Sequence, residues 1–305
     1  MSIVVAGQSV GALGFVGLGV MGEPMCANLV TKSGLTVYGT DPRNEPLRAL
    51  AALGMTPLGN AAEVGARADL VFICVADGEQ LQKVCFGEHG LLAEGSRVKV
   101  IVDCSTTSVA LTRECAAQVA AQGVTWIDAP VARMREAARA GTLSIMVGAA
   151  PDVFESLAPL LRCVGSDLVR CGPTGSGQVV KILNNKVPFE AVHSLAEALA
   201  IARAADVDGA VLFDALAKGS ADSKALRFQG IGHLLPGDFP SRTFPTLYAR
   251  KDIGLALSLA AETGVDARCA RATAGLFDET IAAGHGADYY PVILKLIEAV
   301  HPIAQ

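Results

Sequence analysis

Leu13-Gly14-Phe15-Val16-Gly17-Leu18-Gly19-Val20-Met21-Gly22-Glu23-Pro24 begins as an apolar run, breaks into a glycine turn and leads into residues with helical spacing. The run Leu13 to Val16 predicts a short buried strand, and Pro24 to Thr31 the helix that leaves the turn. In such a unit the three glycines have separate jobs. Gly17 permits the tight turn, Gly19 removes the side chain where backbone must approach a phosphate, and Gly22 lets the helix pack on the strand. The helix N-terminus then offers N–H groups to the anion. Glycine makes up 32 of 305 residues, so the spacing alone is a weak signal. Its place between an apolar run and a helix makes Gly17, Leu18, Gly19, Val20, Met21 and Gly22 a candidate dinucleotide turn.

The cofactor's identity depends on what closes the second strand. An acidic residue there bonds the ribose 2′-hydroxyl of NAD, whereas a basic one favours the 2′-phosphate of NADP. Asp41 lies 19 residues beyond Gly22, near the expected ~20. NAD is therefore favoured, with NADP as the alternative, because Arg43 is near enough to meet a phosphate and Asp41 could instead open the turn at Pro42.

Moving outward, apolar runs at Leu35 to Tyr38, Leu70 to Val75, Val98 to Val102 and Thr125 to Ile127 alternate with Ala-rich helical patterns such as Ala110 to Ala121. Alternation at short intervals predicts a doubly wound parallel sheet covered by helices, an α/β Rossmann domain. Val75 and Ala76, closing the third run, join the cofactor-binding set. From about Gly177 strand signals vanish and Ala/Leu-rich helical spacing takes over, which predicts an all-α second domain. The boundary is expected in Gly172-Pro173-Thr174-Gly175, giving domains 1–174 and 175–305 joined by the helix that starts near 177. About a dozen residues of extension precede the first strand.

With 51% hydrophobic and 18% charged residues, the chain can bury two sizeable cores. A net charge of -5 argues against nucleic acid or an anionic membrane surface as partner and leaves a small molecule as the expected ligand. Cysteines at 26, 74, 85, 104, 115, 163, 171 and 269 contain no CxxC pair and read as small core residues in a reducing compartment. Nothing beside Cys104 in sequence would make it a thiolate nucleophile. Histidines 89, 193, 233, 285 and 301 lack metal-ligand spacing, so no metal is expected. Met1-Ser2-Ile3-Val4-Val5-Ala6 carries no basic side chain, and no run reaches the ~18 apolar residues of a membrane span, so a cytoplasmic protein is expected.

The second informative stretch is Gly175-Ser176-Gly177-Gln178-Val179-Val180-Lys181-Ile182-Leu183-Asn184-Asn185. If Val179 to Val187 is helical, Lys181 and Asn185 project from one face toward the same ligand. A lysine titrates near ~10.4, and partial burial lowers it toward the ~7 to 8 useful for proton transfer. The alternative is a surface lysine on an amphipathic helix. Pro188 lacks an N–H and crowds the Asn184 carbonyl, so a kink is expected there.

Four stretches in order resemble the β-hydroxyacid dehydrogenase family: Gly17 to Met25 with Asn28-Leu29; Asp103-Cys104-Ser105-Thr106; Asp128-Ala129-Pro130-Val131 leading to Gly141-Thr142-Leu143; and Gly175 to Asn185 followed by Lys251-Asp252. The resemblance spans residues 13 to 298. It implies a Rossmann domain plus an all-α domain, Lys181 as the catalytic lysine and Asn185 as its substrate-holding neighbour. It also implies that Thr106 and Lys251 touch the cofactor, and that Asp252 helps close the substrate site with Phe244 before it. Relatives are dimers or tetramers, so a homodimer or homotetramer is expected.

One stretch departs from the family pattern. Where most members carry Ser-Gly-Gly to hold the substrate carboxylate, this chain has Ala132-Arg133-Met134, which is similar to the Gly-Arg-Thr of sulfolactaldehyde reductases. A guanidinium presents a planar fork of donors suited to sulfonate, phosphate or carboxylate. Ala132 and Arg133 are thus expected to fix the acidic end of the substrate, the alternative being a surface arginine like Arg135 and Arg139. The expected function is NAD(P)-dependent interconversion of a short, 3-hydroxyisobutyrate-like β-hydroxy acid and its semialdehyde. The alternatives are a reductase of sulfolactaldehyde or another strongly anionic aldehyde and, in another class, a non-catalytic dinucleotide-binding scaffold. Lys181 with Asn185 weighs against the scaffold.

Overall fold

A computed structural model describes residues 2–241 and 243–300. The chain divides into two compact units, Met1–Lys181 and Ile182–Gln305. The first is built on β1 (Ile3–Val5), β2 (Gln8–Val10), β3 (Ala12–Val16), β4 (Thr36–Thr40), β5 (Thr56–Pro57), β6 (Leu70–Ile73), β7 (Val100–Asp103), β8 (Thr125–Asp128), β9 (Val131–Ala132), β10 (Leu143–Gly148) and β11 (Gly165–Gly172). Its helices are α1 (Gly22–Lys32), α2 (Asn44–Ala51), α3 (Ala61–Gly65), α4 (Gly78–Phe86), α5 (Val109–Ala120), α6 (Arg135–Ala140) and α7 (Pro151–Val164).

The main sheet runs β11-β10-β8-β7-β6-β3-β4-β5, parallel from β5 to β8, with β10 antiparallel to β8 and parallel to β11. From β3 the chain goes to β4 on one side and later to β6 on the other. This reversal opens a crevice at the carboxyl ends of the strands, where ligands of such sheets bind. Both faces of the central strands β3, β6 and β7 are covered, so these are apolar runs rather than alternating ones. In β6, Leu70 and Phe72 enter the core that holds Phe15, whereas Val71 and Ile73 enter the one that holds Trp126. Asp77 and Ser108 cap α4 and α5 by accepting the Gln80 and Leu111 N–H groups.

The first residues are not plain extension. β1 and β2 form a hairpin whose turn, Ala6 (φ 52°) and Gly7 (φ 74°), has both central residues left-handed, the geometry that matches strand twist. Ala6 lacks the usual Asn or Asp, which is why the turn is silent in the sequence. Val5 and Val10 are fully buried in the core.

In the second unit the described elements are helical: α8 (Ser176–Ala204), which begins in the first unit, α9 (Gly209–Lys218), a π-helical stretch Leu226–Leu234, α10 (Thr246–Thr263), α11 (Arg268–Thr280) and α12 (Ile293–Val300). α8 passes through Pro188 as one helix. Phe189 sits edge-on to Tyr290 and Phe277, with ring centroids 5.1 and 5.8 Å away, at the centre of this unit's core. No helix among the described residues is long and apolar enough to cross a membrane.

Candidate active site

The glycine turn sits where β3 ends beside the switch point. Gly17 has φ 90°, and a Cβ there would lie 2.3 Å from the Cys74 carbonyl oxygen, so only glycine fits. At Gly22 a Cβ would lie 2.0 Å from the Gly17 carbonyl oxygen. Around Gly19 no atom of the described residues, its chain neighbours apart, lies within 4 Å of a Cβ, so backbone there faces open space. Two glycines are thus fixed by packing and the middle one by nothing in the protein itself, which fits a dinucleotide phosphate approaching at Gly19. Leu18 is buried, Val20 is exposed and Met21 packs on the core.

Asp41 follows β4 directly, and its Oδ2 accepts the Leu18 N–H at 2.7 Å. Arg43 brackets the same carboxylate, its Nε 2.9 Å from Oδ1, and its Nη2 donates to the Leu18 carbonyl at 2.8 Å. Burial works against the Asp41 charge, but hydrogen bonds from Arg43 and Leu18 hold its carboxyl below the ordinary range. Asp41 and Arg43, the residues expected to tell NAD from NADP, are therefore both tied to the turn.

Around the ends of β6, β7 and β8 the loops are stitched together. Val75 N–H donates to Ser105 Oγ at 3.0 Å, and Ser105 N–H to Asp103 Oδ1 at 2.9 Å. Exposed Ala76 and half-buried Thr106 lie in these loops. Gln178, fully buried, donates to the Ser105 carbonyl at 2.8 Å and accepts the Thr107 N–H at 3.3 Å. Asp128 accepts the N–H groups of Gly175 at 2.6 Å and Gln178 at 2.9 Å. Lys181 follows on the same helix and is 8% exposed.

Asp103 and Asp128 are in register on adjacent strands, both with 0% exposure. Burial pushes the Asp103 carboxyl up to about 7, aided by the negative Asp128 and opposed by the Ser105 hydrogen bonds. Burial also raises Asp128, although backbone N–H groups of α8 oppose the rise. Burial lifts the thiols of Cys74, to about 12, and of Cys104, well above the ordinary value. Both are thus kept as thiols.

Ala132 pairs with Ser144 across β9 and β10, and Arg133 follows it with φ 87°. A left-handed arginine is uncommon and marks a position where glycine would be easier. The Arg133 guanidinium binds Asp167 Oδ2 at 2.7 Å, the Thr142 carbonyl, and Ser166 Oγ at 3.2 Å. Its charge is therefore engaged by Asp167, a residue without any sequence signal.

In the second unit, Asn185 Nδ2 donates to Asp252 Oδ2 at 2.7 Å, and Lys251 Nζ lies 3.2 Å from Asp252 Oδ1. Phe244 packs 6.0 Å from Phe189, one turn beyond Asn185 on α8. The structure thus gathers Asn185, Lys251 and Asp252 in this unit and the glycine turn with Asp41 in the other. His193 bonds Thr273 at 3.1 Å. No group of His, Cys, Asp or Glu that could hold a metal ion occurs among the described residues; His301 lies outside them.

Comparison with known proteins decides the lineage. Residues 12–172 match the NAD binding domain of 6-phosphogluconate dehydrogenase, and 175–297 the NAD-binding domain of NADP-dependent 3-hydroxyisobutyrate dehydrogenase. The chain belongs to the β-hydroxyacid dehydrogenase family. Among the family's members it is 34% identical to 2-(hydroxymethyl)glutarate dehydrogenase of Eubacterium barkeri over 94% of both chains. It is 29% identical to 3-sulfolactaldehyde reductase of Escherichia coli over 94% of this chain and 95% of that one. The structure of Mycobacterium tuberculosis 3-hydroxyisobutyrate dehydrogenase with L-serine superimposes with a TM-score of 0.85 and 29% identity, covering 94% of this chain and 99% of the other. As a family member the protein is an NAD(P)-dependent oxidoreductase acting on the CH–OH group of a β-hydroxy acid. The dinucleotide fits the turn described above.

Three residues of this site escaped the sequence reading of roles: Asp128, Gln178 and Asp167. The first two lie inside the recognised motifs, and for Gln178 its place beside the glycine-rich helix start was the available signal. Asp167 had none.

Proposed function

We propose that the protein interconverts a short β-hydroxy acid of the 3-hydroxyisobutyrate type and its semialdehyde, with Lys181 as the general acid/base. The observation that supports this reading is a buried primary amine on a helix whose first turn is hydrogen-bonded to the carboxyl ends of the dinucleotide sheet. In oxidation the substrate hydroxyl gives its proton to Lys181 Nζ as hydride leaves the same carbon, and the C–O bond becomes a carbonyl; in reduction Lys181 returns the proton. The nicotinamide, when bound, supplies the hydride acceptor or donor.

Asn185, one helical turn after Lys181, holds the reacting oxygen, and Asp252 orients the Asn185 amide through their 2.7 Å hydrogen bond. Ala132 and Arg133 fix the acidic end, Phe244 lines the substrate, and Val75, Ala76, Thr106 and Lys251 serve the cofactor. We favour NAD, because Asp41 stands at the end of β4 with its carboxylate at the turn. A second reading, a reductase of sulfolactaldehyde or a similar anionic aldehyde, is favoured by Arg133, which keeps a guanidinium at a position with φ 87°. There the substrate anion replaces Asp167 as its partner.

A panel of hydroxy acids and semialdehydes, each assayed with NAD and NADP on the wild type, Lys181→Ala and Arg133→Ala, tests both readings. Lys181→Ala is expected to lower kcat by a factor on the order of 10² to 10⁴ while the cofactor still binds. Near-normal turnover removes Lys181 from the mechanism. Arg133→Ala is expected to impair activity on 3-hydroxyisobutyrate if Arg133 anchors the carboxylate; a loss confined to a sulfonated aldehyde favours the second reading and means that the carboxylate is held elsewhere.

A further inference from the structure

Gln178 and Asp128 have no role in the proton or hydride steps, yet both are fully buried at the point where the lysine helix meets the sheet. The Gln178 carboxamide uses its donor on Ser105 O at 2.8 Å and its acceptor on Thr107 N at 3.3 Å, so it grips the backbone on both sides of Thr106. Its own N–H donates to Asp128 Oδ2, and Gly175 N–H to Oδ1. Space for that carboxylate is kept by two glycines. A Cβ at Gly148 would lie 2.2 Å from Asp128 Oδ1, and one at Gly177 2.7 Å from Oδ2.

The loop that Gln178 grips is held independently, by Asp103 on the Ser105 N–H and by Ser105 on the Val75 N–H. What the carboxamide adds is a link from that fixed loop to the helix. Lys181 comes three residues later, close to one turn on, so its amine inherits whatever depth and rotation the first turn is given. We infer that Gln178, seated by Asp128, is a positioning residue that fixes the Lys181 amine relative to the Ser105–Thr107 loop. The inference rests on the proposed role of Lys181. Displacing a catalytic group by about 1 Å can lower a rate about 10²-fold, so a loosened first turn should be read chiefly in kcat.

The test is a cycle of Gln178→Met, which keeps length and loses both hydrogen bonds, with Lys181→Ala, on whichever hydroxy acid of the panel the wild type oxidises fastest. Gln178→Met is expected to lower kcat by roughly 10- to 100-fold, to change the KM for the dinucleotide less than about 3-fold, and to raise the deuterium isotope effect on kcat as the chemical step becomes limiting. In the Lys181→Ala background it is expected to add less than about 3-fold, because a misplaced amine no longer matters. A Gln178→Met enzyme within twofold of wild-type kcat, while Lys181→Ala is crippled, overturns this inference alone. So does an equal loss in both backgrounds, which marks a general structural role. An active Lys181→Ala enzyme, or a wild type that oxidises nothing in the panel, overturns the reading of Lys181 and this inference with it. If Gln178→Met does not fold, Gln178→Glu decides on the same criteria. It keeps the acceptor for Thr107 and loses the donor to Ser105.

Discussion

Replacing Asp103 with asparagine is expected to stabilise the protein increasingly as the pH is raised. Asp103 ends β7 with 0% exposure, its Oδ1 accepting the Ser105 N–H and its Oδ2 without a hydrogen-bond partner among the described residues. Burial first, and the Asp128 charge second, push its carboxyl from the ordinary 3.8 to about 7. The folded protein therefore keeps a proton that the unfolded chain releases. Below about pH 4 both states are protonated and the site contributes no pH dependence. Between about pH 4 and about pH 7 stability falls as the pH rises, and above that range the loss is complete. At about 1.4 kcal/mol per pH unit the gap corresponds to roughly 4 kcal/mol.

Asparagine keeps the shape and the acceptor for Ser105 but cannot ionise, so this loss disappears. Its amide places a donor where Oδ2 now lacks a partner, a penalty of about 1 to 3 kcal/mol that does not vary with pH. The pH-dependent part is the diagnostic one. Between about pH 5 and about pH 8 the variant should gain roughly 3 kcal/mol on the wild type. Urea titrations followed by fluorescence can read this in the correct unit, because Trp126, the single tryptophan, is buried in β8 with Ile101 of β7 as its pairing partner. A stability difference that stays constant across this range would falsify the assignment of a raised carboxyl to Asp103.

Three other perturbations probe the cofactor turn and the acid beside it. Gly19→Ala should leave the free protein's unfolding within about 0.5 kcal/mol of wild type, since its Cβ meets nothing, yet weaken dinucleotide binding at least about tenfold because backbone must approach phosphate there. Gly22→Ala, with a Cβ 2.0 Å from the Gly17 carbonyl, should lower thermal stability by more than about 1 kcal/mol even without cofactor. Similar melting temperatures for the two variants would contradict this division. Asp41→Ala should raise the KM for NAD and leave that for NADP little changed, because Arg43 is then released from a carboxylate 2.9 Å away; an unchanged NAD constant removes Asp41 from ribose recognition.

What could be read from sequence follows from the range of the interaction. β3, β6, β7 and β8 are buried on both faces, so each is a continuous apolar run and legible as such. β10 obeys the same rule and was open to the same reading. β11 is largely exposed and mixes Asp, Arg and Gly, so neither a run nor an alternation marks it. The hairpin of β1 and β2 hides behind an Ala6-Gly7 turn. Lys181 and Asn185 announce themselves because an amine and an amide one turn apart suit the proton transfer proposed above. Asp128, Gln178 and Asp167 act across separations of 34 to 73 residues, and no local spacing encodes such pairs.

The two buried aspartates show why those long-range residues matter. Asp103 and Asp128 occupy the same register on neighbouring strands, and burial opposes ionisation in both. Asp128 is compensated by N–H groups at the start of α8, where the helix dipole also favours a negative charge. Among the described residues Asp103 has only Ser105, on one oxygen. One carboxylate thus anchors the helix that carries Lys181, while its neighbour makes the fold less stable as the pH rises in return for holding the Ser105 loop. Stability and site geometry meet at the carboxyl ends of β7 and β8. A substitution there should therefore be judged by two separate measurements, the pH dependence of unfolding for Asp103 and the turnover of folded enzyme for Gln178.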